Sequence, residues 1–217
     1  QGLEVAAIVG MEMGAFVGAS YASSGTVNGM DWKILQLKPE WLSPKTGFGA
    51  VFGSGKASVT ALKDGMEKIF GSGDSAQWKF PLWILFQDRK GVQVRDRGPI
   101  TPALVATLSH PESTPEEGQG SAPESWTVAI DRLKAAGIQQ PKIWVLPRVP
   151  AHWPHHATKA AISDGKAWVA PEDLLIEVDV AGAAWDFKQK SQAIYQARQT
   201  TKKALPEWLA RLGWVAK

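Results

Sequence analysis

The chain contains no cysteine, which excludes disulfides and thiolate metal sites and leaves its redox compartment open. It also lacks an apolar run of the ~20 residues that a membrane-crossing helix requires. The nearest stretch, residues 3–22, is interrupted by Glu4, Glu12 and the glycines at 10, 14 and 18. No charge of one sign dominates: 24 Lys and Arg against 21 Asp and Glu leave a net charge of only +3. The basic residues are scattered, without the arginine-rich or aromatic-interleaved stripe of a nucleic-acid-binding face. No internal repeat is visible. Tyrosine is scarce, with two residues, whereas tryptophan is abundant, with eleven. Trp packs cores, but it also favours lipid-facing and partner-facing surfaces, because its apolar body carries one polar handle. Trp41, Trp153, Trp208 and Trp214 stand in polar or proline-containing surroundings, and exposure is expected among them. At 217 residues the default is one domain, residues 1–217, long enough for a sizeable core.

What is present is concentrated near the start. Val5-Ala6-Ala7-Ile8-Val9 reads as a buried strand. It meets a glycine-flanked turn, Gly10-Met11-Glu12-Met13-Gly14, and then a segment of small residues, Ala15-Phe16-Val17-Gly18-Ala19-Ser20-Tyr21-Ala22-Ser23. This is the frame of a nucleophile elbow, G-x-S-x-G, with Glu12 where the serine would stand. In an elbow the central residue occupies a strained strand-to-helix turn that lifts its hydroxyl above the sheet edge. Small flanking residues keep a Cβ from striking the neighbouring strand and helix. A carboxylate at a helix N-terminus is electrostatically comfortable, since the macrodipole favours an anion there, but it does not do the work of a hydroxyl.

The stretch resembles the patatin-like phospholipases of the compact bacterial type. Gly10, Met13, Gly14, Ala15, Val17, Gly18, Ala19, Tyr21, Ala22 and Ser23 fall on that family's elbow pattern, while Met11 and Glu12 replace its Thr-Ser pair. Weaker similarities follow in the family's order. They are Gly29-Met30-Asp31-Trp32, then Phe48-Gly49 through Phe70-Gly71, then Phe80–Asp88 and Gly98–Ser109, then Asp173–Gly182 with Trp185-Asp186-Phe187. The resemblance implies a three-layer α/β/α domain with a mainly parallel central sheet. It implies no cofactor. Two of the family's parts have no counterpart here. Nothing before Val5 supplies its first strand and glycine-rich oxyanion loop, and no aspartate lies in 112–123, where its acid partner aligns. Glu117, followed by Gly118, is the nearest substitute for that acid. Asp164-Gly165 is misplaced relative to the strands.

Hydrophobic patterning predicts strands over 4–9, 81–87, 142–147 and 174–179, and helices over 13–24, 57–70, 101–109, 124–137 and 186–212. Pro206 predicts a break in the last helix. Strands separated by helices point to the same α/β class. Segments 110–123 and 148–171, rich in Pro, Gly and polar residues, are expected as surface loops. Gly53-Ser54-Gly55-Lys56 hints at a phosphate loop, but Ala50 and Ala57 break the pattern. His152, His155 and His156 carry metal-binding groups, yet they lack a cysteine or carboxylate partner, so a solvated loop is the preferred reading and no metal site is expected. Asp88, Asp96 and Asp179 read as turn or strand-end residues, and the basic residues from Lys188 to Lys203 as a solvated helix face.

The resemblance and its departures together lead to a catalytically degenerate protein that serves as a structural or regulatory subunit of a complex, its partner another protein chain. Two alternatives stay open: a lipid- or acyl-binding module, and a lipid acyl hydrolase whose missing parts come from elsewhere or whose Glu12 acts as a base on water. Neither nucleic acid nor a membrane span is expected. A cytoplasmic location is the expectation, with a signal peptide upstream of Gln1 left open.

Overall fold

The computed structural model describes residues 4–42, 59–109, 122, 124–149, 156–179 and 190–214. It is a mixed α/β structure containing parallel strand pairs. The chain resolves into two units, Glu4–Ser125 and, in the main, Trp126–Lys217.

In the first unit, β1 (Ile8–Met11) passes without a linker into α1 (Glu12–Ser24). The strand is shorter and begins later than the expected 4–9. Helix α1 buries Ala15, Phe16, Gly18, Ala19, Ser20 and Ala22. Its small residues let it lie close on the sheet: a Cβ at Gly18 would sit 2.9 Å from Ile8 Cγ2 and 3.3 Å from Leu82 Cδ1. The helix ends at Gly25, whose φ of 67° lets its N–H turn back to the Tyr21 carbonyl. Then comes α2 (Val27–Gln36), which the sequence reading did not anticipate, capped by the Thr26 side chain accepting from the Gly29 N–H. A single turn, α3 (Pro39–Leu42), follows it. Helix α4 (Val59–Phe70) buries Leu62, Met66 and Ile69.

Strand β2 (Leu82–Asp88) lies parallel to β1, with Ile8 opposite Leu82 and Met11 opposite Leu85. It turns back into β3 (Gly91–Arg95), an antiparallel strand that was also unanticipated. Asp88 Oδ1 accepts the Lys90 N–H at 2.7 Å and closes that turn. Helix α5 (Thr101–Leu108) is buried almost throughout. The strand order β1-β2-β3 leaves β1 at an edge among the described residues, not at the sheet centre. Phe16, Met66, Leu82, Ile84, Leu85 and Leu104 form the fully buried core. The Phe16 and Phe70 rings meet edge-on at 5.7 Å.

The second unit comprises α6 (Ser125–Ala135), β4 (Ile143–Arg148), α7 (His156–Ala167), β5 (Leu174–Asp179) and α8 (Lys190–Arg211). Strands β4 and β5 pair in parallel, with Ile143 opposite Leu174 and Arg148 opposite Asp179. Three expectations are corrected here. The segment 148–171 is not one loop, because α7 occupies its centre. Helix α8 runs through Pro206 without ending; one lost backbone bond is tolerated where the following turn is anchored by packing. Trp208 supplies that anchor. It is not exposed but 3% accessible, packed with Leu174 and Ile176, and its Nε1 donates to the Glu172 carbonyl at 2.7 Å. Trp214 is exposed, Trp41 half-buried, and Trp153 lies outside the described residues.

Candidate functional site

The β1–α1 turn carries a strained backbone at its central residue. Glu12 has φ 49°, the only positive φ at a described residue other than glycine. A left-handed conformation costs an L-residue with a Cβ about 1–2 kcal/mol and persists only where the surroundings over-determine it. Gly10 contributes to that constraint. A Cβ there would meet Ala15 N at 2.7 Å, Ala15 Cα at 2.8 Å and the Gly14 carbonyl carbon at 2.8 Å, all of them backbone atoms that have nowhere to go. Gly14 differs: a Cβ there would find nothing within 4 Å. The two glycines of the motif are therefore unequal, and only Gly10 is required by space.

The residue at the head of α1 receives no help from its own flank. Met11 is the N-cap, in extended conformation and without a side-chain bond to the helix. The Glu12 N–H instead donates to Thr107 Oγ1 at 2.7 Å, and that hydroxyl donates in turn to the Leu85 carbonyl at 2.8 Å. Glu12 itself is half-buried. The neighbouring serines are not substitutes for a nucleophile. Ser20 Oγ donates to the Phe16 carbonyl at 2.8 Å and Ser23 Oγ to the Ala19 carbonyl at 2.7 Å, both within their own helix.

Glu117, the proposed acid partner, lies outside the described residues, as do the Gly53–Lys56 segment, His152 and His155. His156 opens α7, and nothing is described of its side chain. Asp164 is committed elsewhere. Its Oδ2 accepts the Trp126 and Thr127 amides at 3.1 and 3.3 Å, so it serves α6 as a cap borrowed from α7. Among the described residues no three His, Asp or Glu side chains gather as a metal site would require, and no helix is long and apolar enough to cross a membrane.

A second polar cluster lies at the carboxyl ends of β4 and β5. Arg148 donates to Asp179 Oδ1 at 3.1 Å and to Glu177 Oε2 at 3.2 Å, while Lys166 Nζ lies 2.6 Å from Glu177 Oε1. Lys166 first, then Arg148, holds the Glu177 carboxyl below its ordinary range, and Glu177 raises the Arg148 guanidinium. Two cations and two anions pair as in a strand-end clasp, with Glu177 Oε1 beside the Lys166 ammonium but outside hydrogen-bond geometry. Thr107 is the residue that sequence reading missed. A lone hydroxyl in the apolar run Ala103–Leu108 carries no motif; its only signal is that a buried hydroxyl in such a run requires partners.

No protein-family model matches the chain, and no curated protein is significantly similar to it.

Proposed function

We propose that the chain is a catalytically degenerate relative of the patatin-like lipid acyl hydrolases, built on their three-layer arrangement and acting as a structural or regulatory subunit of a protein complex. The observation that carries the reading is the left-handed φ of Glu12 at a strand-to-helix turn, which is the backbone strain expected of an elbow, with a carboxylate where the resemblance would have a hydroxyl. An elbow gains its chemistry from an activated nucleophile, an acid–base partner and oxyanion donors acting together, and the loss of one of them removes most of the rate. The position of β1 at a sheet edge among the described residues supports a protein partner, because an edge strand offers a row of backbone donors and acceptors for pairing.

Incubation with a fluorophosphonate probe tests the first half of the reading. The expected result is no labelling and no hydrolysis of p-nitrophenyl esters above background; labelling at Ser20, Ser23 or any other serine overturns it. Affinity purification at native expression level tests the second half. A stoichiometric protein partner is expected. A chain that purifies alone with extracted fatty acid instead belongs to the acyl-binding alternative.

A further inference from the structure

We infer that Thr107 is a remote N-cap for α1 and the positioning residue that holds Glu12 in its left-handed conformation. Helix N-termini leave their first amides without intrahelical partners, and the side chain of the preceding residue ordinarily satisfies one of them. Met11 has no such group to offer. Thr107, 1% exposed and 95 residues away in sequence, takes that part: its oxygen accepts the Glu12 N–H, and its proton goes to the Leu85 carbonyl. Leu85 is the β2 residue paired with Met11, so the hydroxyl fastens the turn to the very strand position beside which the turn begins. Gly10 leaves room for the turn by having no Cβ, and Thr107 supplies the bond that closes it. This role is independent of what the domain binds and of whether it has any activity.

The test is Thr107→Val, which keeps shape and removes the hydroxyl, beside Thr107→Ser, which keeps the hydroxyl. Both are made in the full chain and followed by amide hydrogen exchange and Glu12 carbon chemical shifts. Thr107→Val should speed exchange of the Glu12 amide by about tenfold relative to those of Phe16 and Ala19, the protection that one hydrogen bond supplies. The Glu12 Cα and Cβ shifts should leave their left-handed values. Thr107→Ser should preserve both readouts. Unchanged Glu12 exchange and shifts in Thr107→Val overturn the proposal. If Thr107→Val alone does not fold, the double variant with Glu12→Gly decides. Glycine adopts a positive φ without strain, so recovery of a cooperative unfolding transition supports the role, and continued failure to fold overturns it.

Discussion

Asp173, just before β5, and Glu12, just after β1, are both acidic residues at the end of a strand, and the chain constrains them by opposite means. At Asp173 the constraint falls on the side chain. The residue is 4% exposed, and its carboxylate accepts the Lys142 N–H and the Trp144 Nε1–H at 2.8 Å and the Ala170 N–H at 3.1 Å. At Glu12 the constraint falls on the backbone. A neighbour's missing Cβ makes room for a strained φ, and a distant hydroxyl holds the amide. The first arrangement is what a structural carboxylate needs, since a buried charge must have its lone pairs satisfied. The second shapes the main chain around a position, as a site does. Acidity and location along a strand do not separate the two; a fully engaged carboxylate at one and a strained main chain at the other do.

Removing the side chains should expose the contrast most sharply. Asp173→Ala leaves an indole and two amides without their acceptor, and a loss of about 3 kcal/mol or more is expected in urea unfolding. A loss below about 1 kcal/mol would mean that water replaces the carboxylate and that the turn is not built on it. The glycines come next. Gly10→Ala forces a methyl group against backbone and should cost about 1–3 kcal/mol. Gly14→Ala enters open space in the first turn of a helix and should stabilise by roughly 0.5–1 kcal/mol. Equal effects at the two positions would dissolve the distinction between them.

The smallest effect is that of acid. Glu177 is held below its ordinary value near 4.5 by Lys166 and Arg148, and Asp74 below its ordinary 3.8 by the Ala76 and Gly98 amides. A carboxyl whose folded-state pKa is depressed contributes stability that is present above the unfolded value and is lost as pH falls through the folded one. Thermal midpoints should therefore hold from pH 7 to about 5 and decline below pH 4. Glu177→Gln should flatten part of that decline. An unchanged profile would show that the strand-end clasp contributes nothing.

The parts of the fold legible in the sequence were those with an uninterrupted pattern. The apolar runs at β2 and β5 and the buried helix α5 stand close to their expected bounds. The exceptions each have a local cause. Helix α2 carries Asn28 and Gly29 in its first turn, residues that disfavour a helix interior, and its Thr26 cap was the signal passed over. Strand β3 shows alternation in Val92-Gln93-Val94, but five residues are too few to stand out. Helix α7 begins beside prolines and histidines that mark a loop, and its own stretch of Ala, Lys and Asp has a weak apolar stripe. At the site, the turn and the role of Gly10 were readable because sterics operate between near neighbours. The equal weight given to Gly14 was not warranted. The partner of the Glu12 amide was invisible because it is set by how α5 lies against β2, which no local pattern encodes.

The pairing of β1 with β2 has a kinetic side. Ile8 and Leu82 come together only after the described helices α1 to α4 have been made between them, and Glu12 waits longer still for Thr107. Contacts of such long sequence separation are slow to form, because loop closure costs entropy before any contact repays it. During synthesis the β1–α1 turn therefore leaves the ribosome well before its partners on β2 and α5, and reaches its final form only after they have followed it. Nascent chains stopped short of Thr107 should leave that turn open, with α1 unanchored at its head.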